Sequence, residues 1–290
     1  MVPNGISVRS MDADTTSRSS PWQPLTFGGV AAFAHGSFTR LFIAAFVLAA
    51  LVSGSVVHLF YTAWEPAFRQ AIAQLPELSA IRAGQLHWPG QTPMKLAEGK
   101  FLSIVVDWDG TGELGFASDL QFELGRTEFR VRSLLGYVGI PYPTTWTMPL
   151  NRRELEPWWG AWHPVVAAGL AAGVATGLFI FWSVLGAVYA LPVQLIAFYA
   201  DRHVSAFGAW RLAVASLMAG ALLMAAAILA YSFQQLNLIQ LAFAWPVHVA
   251  LGWVYVVMAP LWLPRRLGVS SAQGRKSNPF RESRKDFYKR

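Results

Sequence analysis

Three carboxylates fall within seven residues in the string Val105-Val106-Asp107-Trp108-Asp109-Gly110-Thr111-Gly112-Glu113. Hard cations take several oxygen ligands around a tight glycine turn. Asp107, Asp109 and Glu113 are therefore a candidate loop for a cation or a small ligand. The run lacks the alternating Asp/Asn positions and the late Glu of an EF-hand, and a strand that ends in an Asx or glycine turn fits it better. His58 and His248 fall in long apolar stretches, where they read either as a shared metal or proton site or as two interhelical hydrogen-bonding groups. A metal takes three or four ligands, and His163 is the one further histidine near them. Gln194 is the remaining polar candidate within an apolar stretch. In Asp201-Arg202-His203, an Asp and a His two apart suit acid-base work or the anchoring of a helix end.

No Walker A, Rossmann, G-x-S-x-G or H-E-x-x-H fingerprint is present. The chain has no cysteine, which excludes disulfides, thiolate nucleophiles and thiolate-bound metals. No catalytic residue, metal or cofactor is assigned.

The elements around these residues are dictated by where charge is absent. Only 13% of the 290 residues are charged, about half the share of a soluble domain. Residues 41–62 carry no charge and match the roughly 20 residues a helix needs to cross a bilayer core. Tyr61 and Trp64 anchor the far end. Residues 164–200 are again uncharged, and Leu191-Pro192 predicts a break there. The reading is a span over 164–190 and an interfacial helix over about 192–207. Residues 212–233 and 238–263 complete four spans. None has Asp, Glu, Lys or Arg in its middle, which weighs against an ion-coupled transporter.

Residues 63–163 hold 11 acidic and nine basic residues and read as a folded α+β domain. A helix is predicted over 65–75 and strands over 81–88 and 101–106. Two alternating runs at 120–124 and 129–132 read as a hairpin with one wet face. Asn151 with Glu154 forms a candidate capping box for a short helix toward the bilayer. Residues 1–39 are polar, show no signal-peptide pattern and read as a disordered arm, with 27–38 lying along the membrane surface.

Fourteen of the 23 basic residues lie in the arm to Arg40, in residues 201–211 and after residue 263, against five acids. The positive-inside rule makes that side the cytoplasm, with both termini inside and residues 63–163 outside. The formal charge of +7 is then a topology signal and a means for the tail, 264–290, to meet anionic headgroups, rather than a nucleic-acid site. Gly169, Gly173 and Gly177, after Gly160, recur at intervals of four and suit close helix packing, within the chain or between two copies.

Three strings occur in order: Leu75-Pro76, then Ile81-Arg82-Ala83-Gly84-Gln85-Leu86, then Leu102-Ser103-Ile104-Val105-Val106-Asp107 with Gly110-Thr111-Gly112. With one span before them and three after, they resemble an uncharacterised family of bacterial membrane proteins that includes the maltodextrin-utilisation-type proteins. The resemblance spans about residues 35–263. The chain departs from it at Trp108-Asp109 and in the Trp-rich approach to the second span. It implies a role in envelope or carbohydrate-uptake physiology and carries over no catalytic residue.

The expected fold is an α-helical membrane bundle of four transmembrane helices plus an interfacial helix, with a small α+β extracytoplasmic domain after the first span. The expected function is a non-enzymatic ligand- or partner-binding protein of the bacterial inner membrane, acting with the bilayer and with a membrane partner or a second copy. A permease accessory subunit and a membrane enzyme acting on lipid or glycan, with Asp107 or Asp109 as base, are the alternatives.

Overall fold

A computed structural model describes residues 23, 25–112, 114–115, 118–134 and 136–265. Glu113, the basic tail beyond residue 265 and the arm up to residue 22 lie outside the described residues, and so do the readings made on them.

Four helices are long and apolar enough to cross a membrane. The chain enters through a short helix α1 (Phe27–Ala32) and continues into α2 (Phe38–Leu59). A π-helical turn, Phe60–Trp64, joins α2 without a break to α3 (Glu65–Ala73). The π turn has a local cause. Pro66 has no N–H to donate and its ring crowds the carbonyl four residues back, and a widened turn absorbs both. After the sheets come α4 (Arg152–Tyr199), α5 (Ala206–Ser232) and α6 (Leu238–Met258), the last ending in a 3₁₀ turn, Ala259–Trp262.

Helix α5 is the centre of the bundle, packed against α2, α4 and α6. Its buried surface is built from small residues, among them Gly208, Ala209, Ala213, Ala219 and Gly220. Small side chains let backbones approach closely, and such packing is what holds helices together in lipid. A methyl group on Gly220 would strike the backbone carbonyl of His248. The outer face of α4 shows the opposite chemistry. Val184, Val188, Leu191, Leu195 and Phe198 form an exposed apolar stripe along successive turns. Soluble proteins rarely expose so continuous a patch, whereas a hydrocarbon environment leaves it at no disadvantage.

The expected break at Pro192 does not occur. Residues 152–199 form one helix of 48 residues with Pro157, Pro164 and Pro192 inside it, so there is no separate interfacial helix over 192–207. Val193 and Ala197, just past the proline, are buried in the bundle core, and continuing the helix is what buries them. The helix stops instead at Asp201, in the left-handed conformation with φ 55°. Arg202 N–H donates to Ala197 O and Asp201 N–H to Phe198 O, the bonding pattern of a Schellman motif. Helix α5 ends the same way at Gln234, φ 61°, with Gln235 N–H on Ala230 O and Gln234 N–H on Tyr231 O. Asn151 caps α4 by accepting from Glu154 N–H, so the short helix expected there is the first turn of the long one.

Residues 27–36 do not lie along a surface. Val30, Phe33 and Ala34 are buried in the bundle core. Arg211 donates from Nη1 to Gly36 O and from Nη2 to Ala34 O, both at 2.5 Å, and Tyr255 Oη donates to Leu25 O at 2.7 Å. At the same end Arg202 Nη1 donates to Leu263 O and His203 N–H to Pro264 O. Arg202 and His203 therefore dock the end of the last helix, while Asp201 closes its own.

At the other end, β3 (Met94–Glu98), β4 (Leu102–Val106), β5 (Leu120–Leu124), β6 (Glu128–Ser133) and β7 (Gly136–Pro141) form one sheet in that order, after a hairpin of β1 (Ala80–Arg82) and β2 (Gln85–His87). β8 (Thr147–Pro149) pairs with β1. The strand expected over 81–88 is thus two, turning at Ala83 and Gly84, both at positive φ. β4 and β5 are parallel and the other pairs of the large sheet antiparallel. A parallel pair requires a crossover, and residues 107–119 supply it. The domain core joins α3, through Ala67 and Ala71, to Leu96, Leu102, Ile104 and Val106.

Candidate functional site

The crossover contains the acidic string. Asp107 follows β4 and is buried. Its Oδ1 accepts from Thr111 N–H at 3.0 Å and its Oδ2 from Gly112 N–H at 2.7 Å. Burial by itself raises the Asp107 pKa, and the N–H donors of Gly112 and Thr111 with the Thr111 hydroxyl outweigh it and hold the carboxyl below its ordinary value. Both oxygens thus serve the turn, and a cation would have to displace these donors. Asp109 is exposed. Among the described residues no three His, Asp or Glu side chains cluster as a metal site.

The more constrained carboxylate is Glu123, and the expected wet face of the β5–β6 hairpin is not wet. Gln121 and Glu123 are buried, with Glu123 1% exposed. Glu123 Oε1 lies 2.7 Å from Arg130 Nη1, and its Oε2 lies 2.8 Å from Arg132 Nε. Arg130 also holds Glu128 at 2.6 Å. The crossover covers this layer, since a methyl group on Gly110 would meet the Arg130 guanidinium. Hydrogen bonds to Glu128 and Glu123, against an opposing effect of burial, raise the Arg130 pKa further. The signal was present in the sequence, because Glu123 and Arg130 are cross-strand partners in the hairpin register.

The intramembrane candidates stand apart. His58 packs its ring 4.9 Å from Phe233, at the sheet end of α5, whereas His248 lies over Gly220. Thirteen residues of helix separate those two α5 positions, or roughly 20 Å at 1.5 Å per residue, so the histidines share no site. His163 Nδ1 lies 3.1 Å from Trp159 O in its own helix. Gln194 is half-buried near the opposite end of α4. A methyl group on Gly169, Gly173 or Gly177 would meet nothing within 4 Å, so among the described residues this face packs against no other element.

One feature had no signature in the sequence. A cleft of about 620 Å³ opens between the large sheet and the bundle, with Phe101, Leu120 and Leu134 on one wall and Leu59, Leu241 and Phe243 on the other. Its volume is in the range of small-molecule sites. Tyr231 Oη bridges the two walls by donating to Asp119 Oδ2 at 2.7 Å, and the Tyr231 ring meets Phe101 edge-on at 4.9 Å. Trp64, in the π turn, also lines it. Asp119 and Tyr231 are 112 residues apart, and no local pattern joins them.

No protein-family model, no curated protein and no solved structure matches the chain.

Proposed function

We propose that the chain is a non-enzymatic membrane protein of the sensor or accessory class. Its sheet domain stands outside the inner membrane, binds an apolar or amphipathic ligand in the cleft against the bundle, and passes that event to the helices. The observation that carries this reading is the construction of the cleft. Its walls come from both units, so an occupant touches the sheet and the helices at once. Four apolar helices and the exposed stripe on α4 support placement in a bilayer. The charge asymmetry supports a cytoplasmic location for residues 201–211 and the basic tail. The resemblance of the motif order to that of the maltodextrin-utilisation-type family supports an envelope role. A permease reading has less support, because His58, His248 and Gln194 stand at separate depths.

The test uses the full chain in nanodiscs, with a lysophosphatidylglycerol as the probe. Amide exchange is expected to slow in β5–β7 and at the Tyr231 end of α5 when the probe is added. Ala242 of α6 also lines the cleft, and Ala242→Trp, which fills it, is expected to abolish that change. Identical exchange with and without the probe, or an unaltered response in the variant, contradicts the reading.

A further inference from the structure

A second cavity of about 360 Å³ lies within the bundle, away from the cleft and independent of its role. It sits over α5 where α4 and α6 diverge, between Trp182 and Tyr189 of α4 and Trp245 and His248 of α6, with Leu217 and Ala221 of α5 as its floor. His248 is the tenth residue after Leu238 and the tenth before Met258, at the ends of α6. That is about 15 Å from either end, the middle of a hydrocarbon core of about 30 Å.

His248 is not explained by the packing. Its Nδ1 is enclosed by protein and has no hydrogen-bond partner. A neutral imidazole has one donor and one acceptor. His248 lines the cavity, and with Nδ1 enclosed the proton on Nε2 makes that nitrogen the donor available to an occupant. A polar group without a partner in hydrocarbon is unfavourable.

We propose that this cavity binds the head ring of an isoprenoid quinone, with a ring carbonyl accepting from His248 Nε2. Three features select this class. Approach is lateral, from the hydrocarbon, past Phe181 and Trp245, which line the cavity and remain exposed. A phospholipid headgroup does not reach this depth, and an acyl tail offers no acceptor. Walls of Trp182, Tyr189 and Trp245 suit a planar ring, which stacks or meets them edge-on. The site is a binding site, and no electron transfer is assigned to it.

The test is equilibrium binding of decylubiquinone to the full chain in nanodiscs, with a farnesyl alcohol that lacks the ring as control. Saturable binding of one quinone per chain is expected, and the ringless alcohol should not compete. His248→Leu should weaken binding about tenfold, the loss of one hydrogen bond to a buried donor. His248→Gln, which keeps a donor, should recover part of it, and Ala221→Phe should fill the floor and abolish binding. Uptake that rises linearly and equals that of protein-free discs overturns the proposal. So does full affinity in His248→Leu, or equal affinity for the ringless alcohol.

Discussion

Glu123 and Asp107 are both buried carboxylates of the sheet domain, and the partners of each decide what it does. Glu123 binds two arginines from the neighbouring strand. Removing one member of a buried ion pair typically destabilises by about 3–5 kcal/mol, because the partner charges remain. Arg130 and Arg132 are partly open to water, which places the expected loss for Glu123→Gln at about 3 kcal/mol, read as a lower melting temperature of the intact protein. Asp107 is held by its own loop, and its pKa lies below 3.8 in the folded protein. Its stabilising contribution is therefore complete above 3.8 and is lost as pH falls through the folded value. Asp107→Asn should lower stability at neutral pH and flatten the acid limb of the stability curve, measured by tryptophan fluorescence on thermal unfolding. An acid limb unchanged by the substitution would show that Asp107 does not contribute to it.

At the scale of elements, the two sets of glycines separate. Gly220 faces the His248 backbone, so Gly220→Ala forces α5 and α6 apart, a change of the overpacking kind at about 1–3 kcal/mol. Gly173 faces open space, and Gly173→Ala should leave the bundle unchanged or gain up to about 1 kcal/mol of helix propensity. Resistance of the detergent-solubilised variants to thermal unfolding measures both. The four apolar helices were legible from the absence of charge, and β4 from its run of apolar residues. The end of α4 was not, because Asp201 closes it in a conformation that usually calls for glycine, whereas the end of α5 and the start of α6 fall where the uncharged loop 234–237 places them. A proline suggested an end at 192 where tertiary burial of Val193 and Ala197 keeps the helix going. β3 and β7 have no pattern like that of β4. They are the edges of the large sheet: β3 carries Lys95 and Glu98, and β7 is exposed throughout and interrupted by Gly139, so neither shows a clean alternation. The candidate site was least legible of all, since the cleft exists only where two units separated in sequence meet.

For the whole molecule, the arrangement places the sheet domain at one end of the bundle. Residues 25–36, 201–205 and 263–265 gather at the other, tied by Arg211, Arg202 and Tyr255. The central claim is that the first end faces out of the inner membrane and the second faces the cytoplasm. The absence of cysteine makes this directly measurable. Single cysteines introduced as Asp109→Cys and His203→Cys, both at exposed positions, are to be labelled in whole cells with a membrane-impermeant maleimide. The account predicts that Asp109→Cys is labelled in intact cells and His203→Cys only after the inner membrane is permeabilised. Labelling of both without permeabilisation, or of His203→Cys alone, would contradict it.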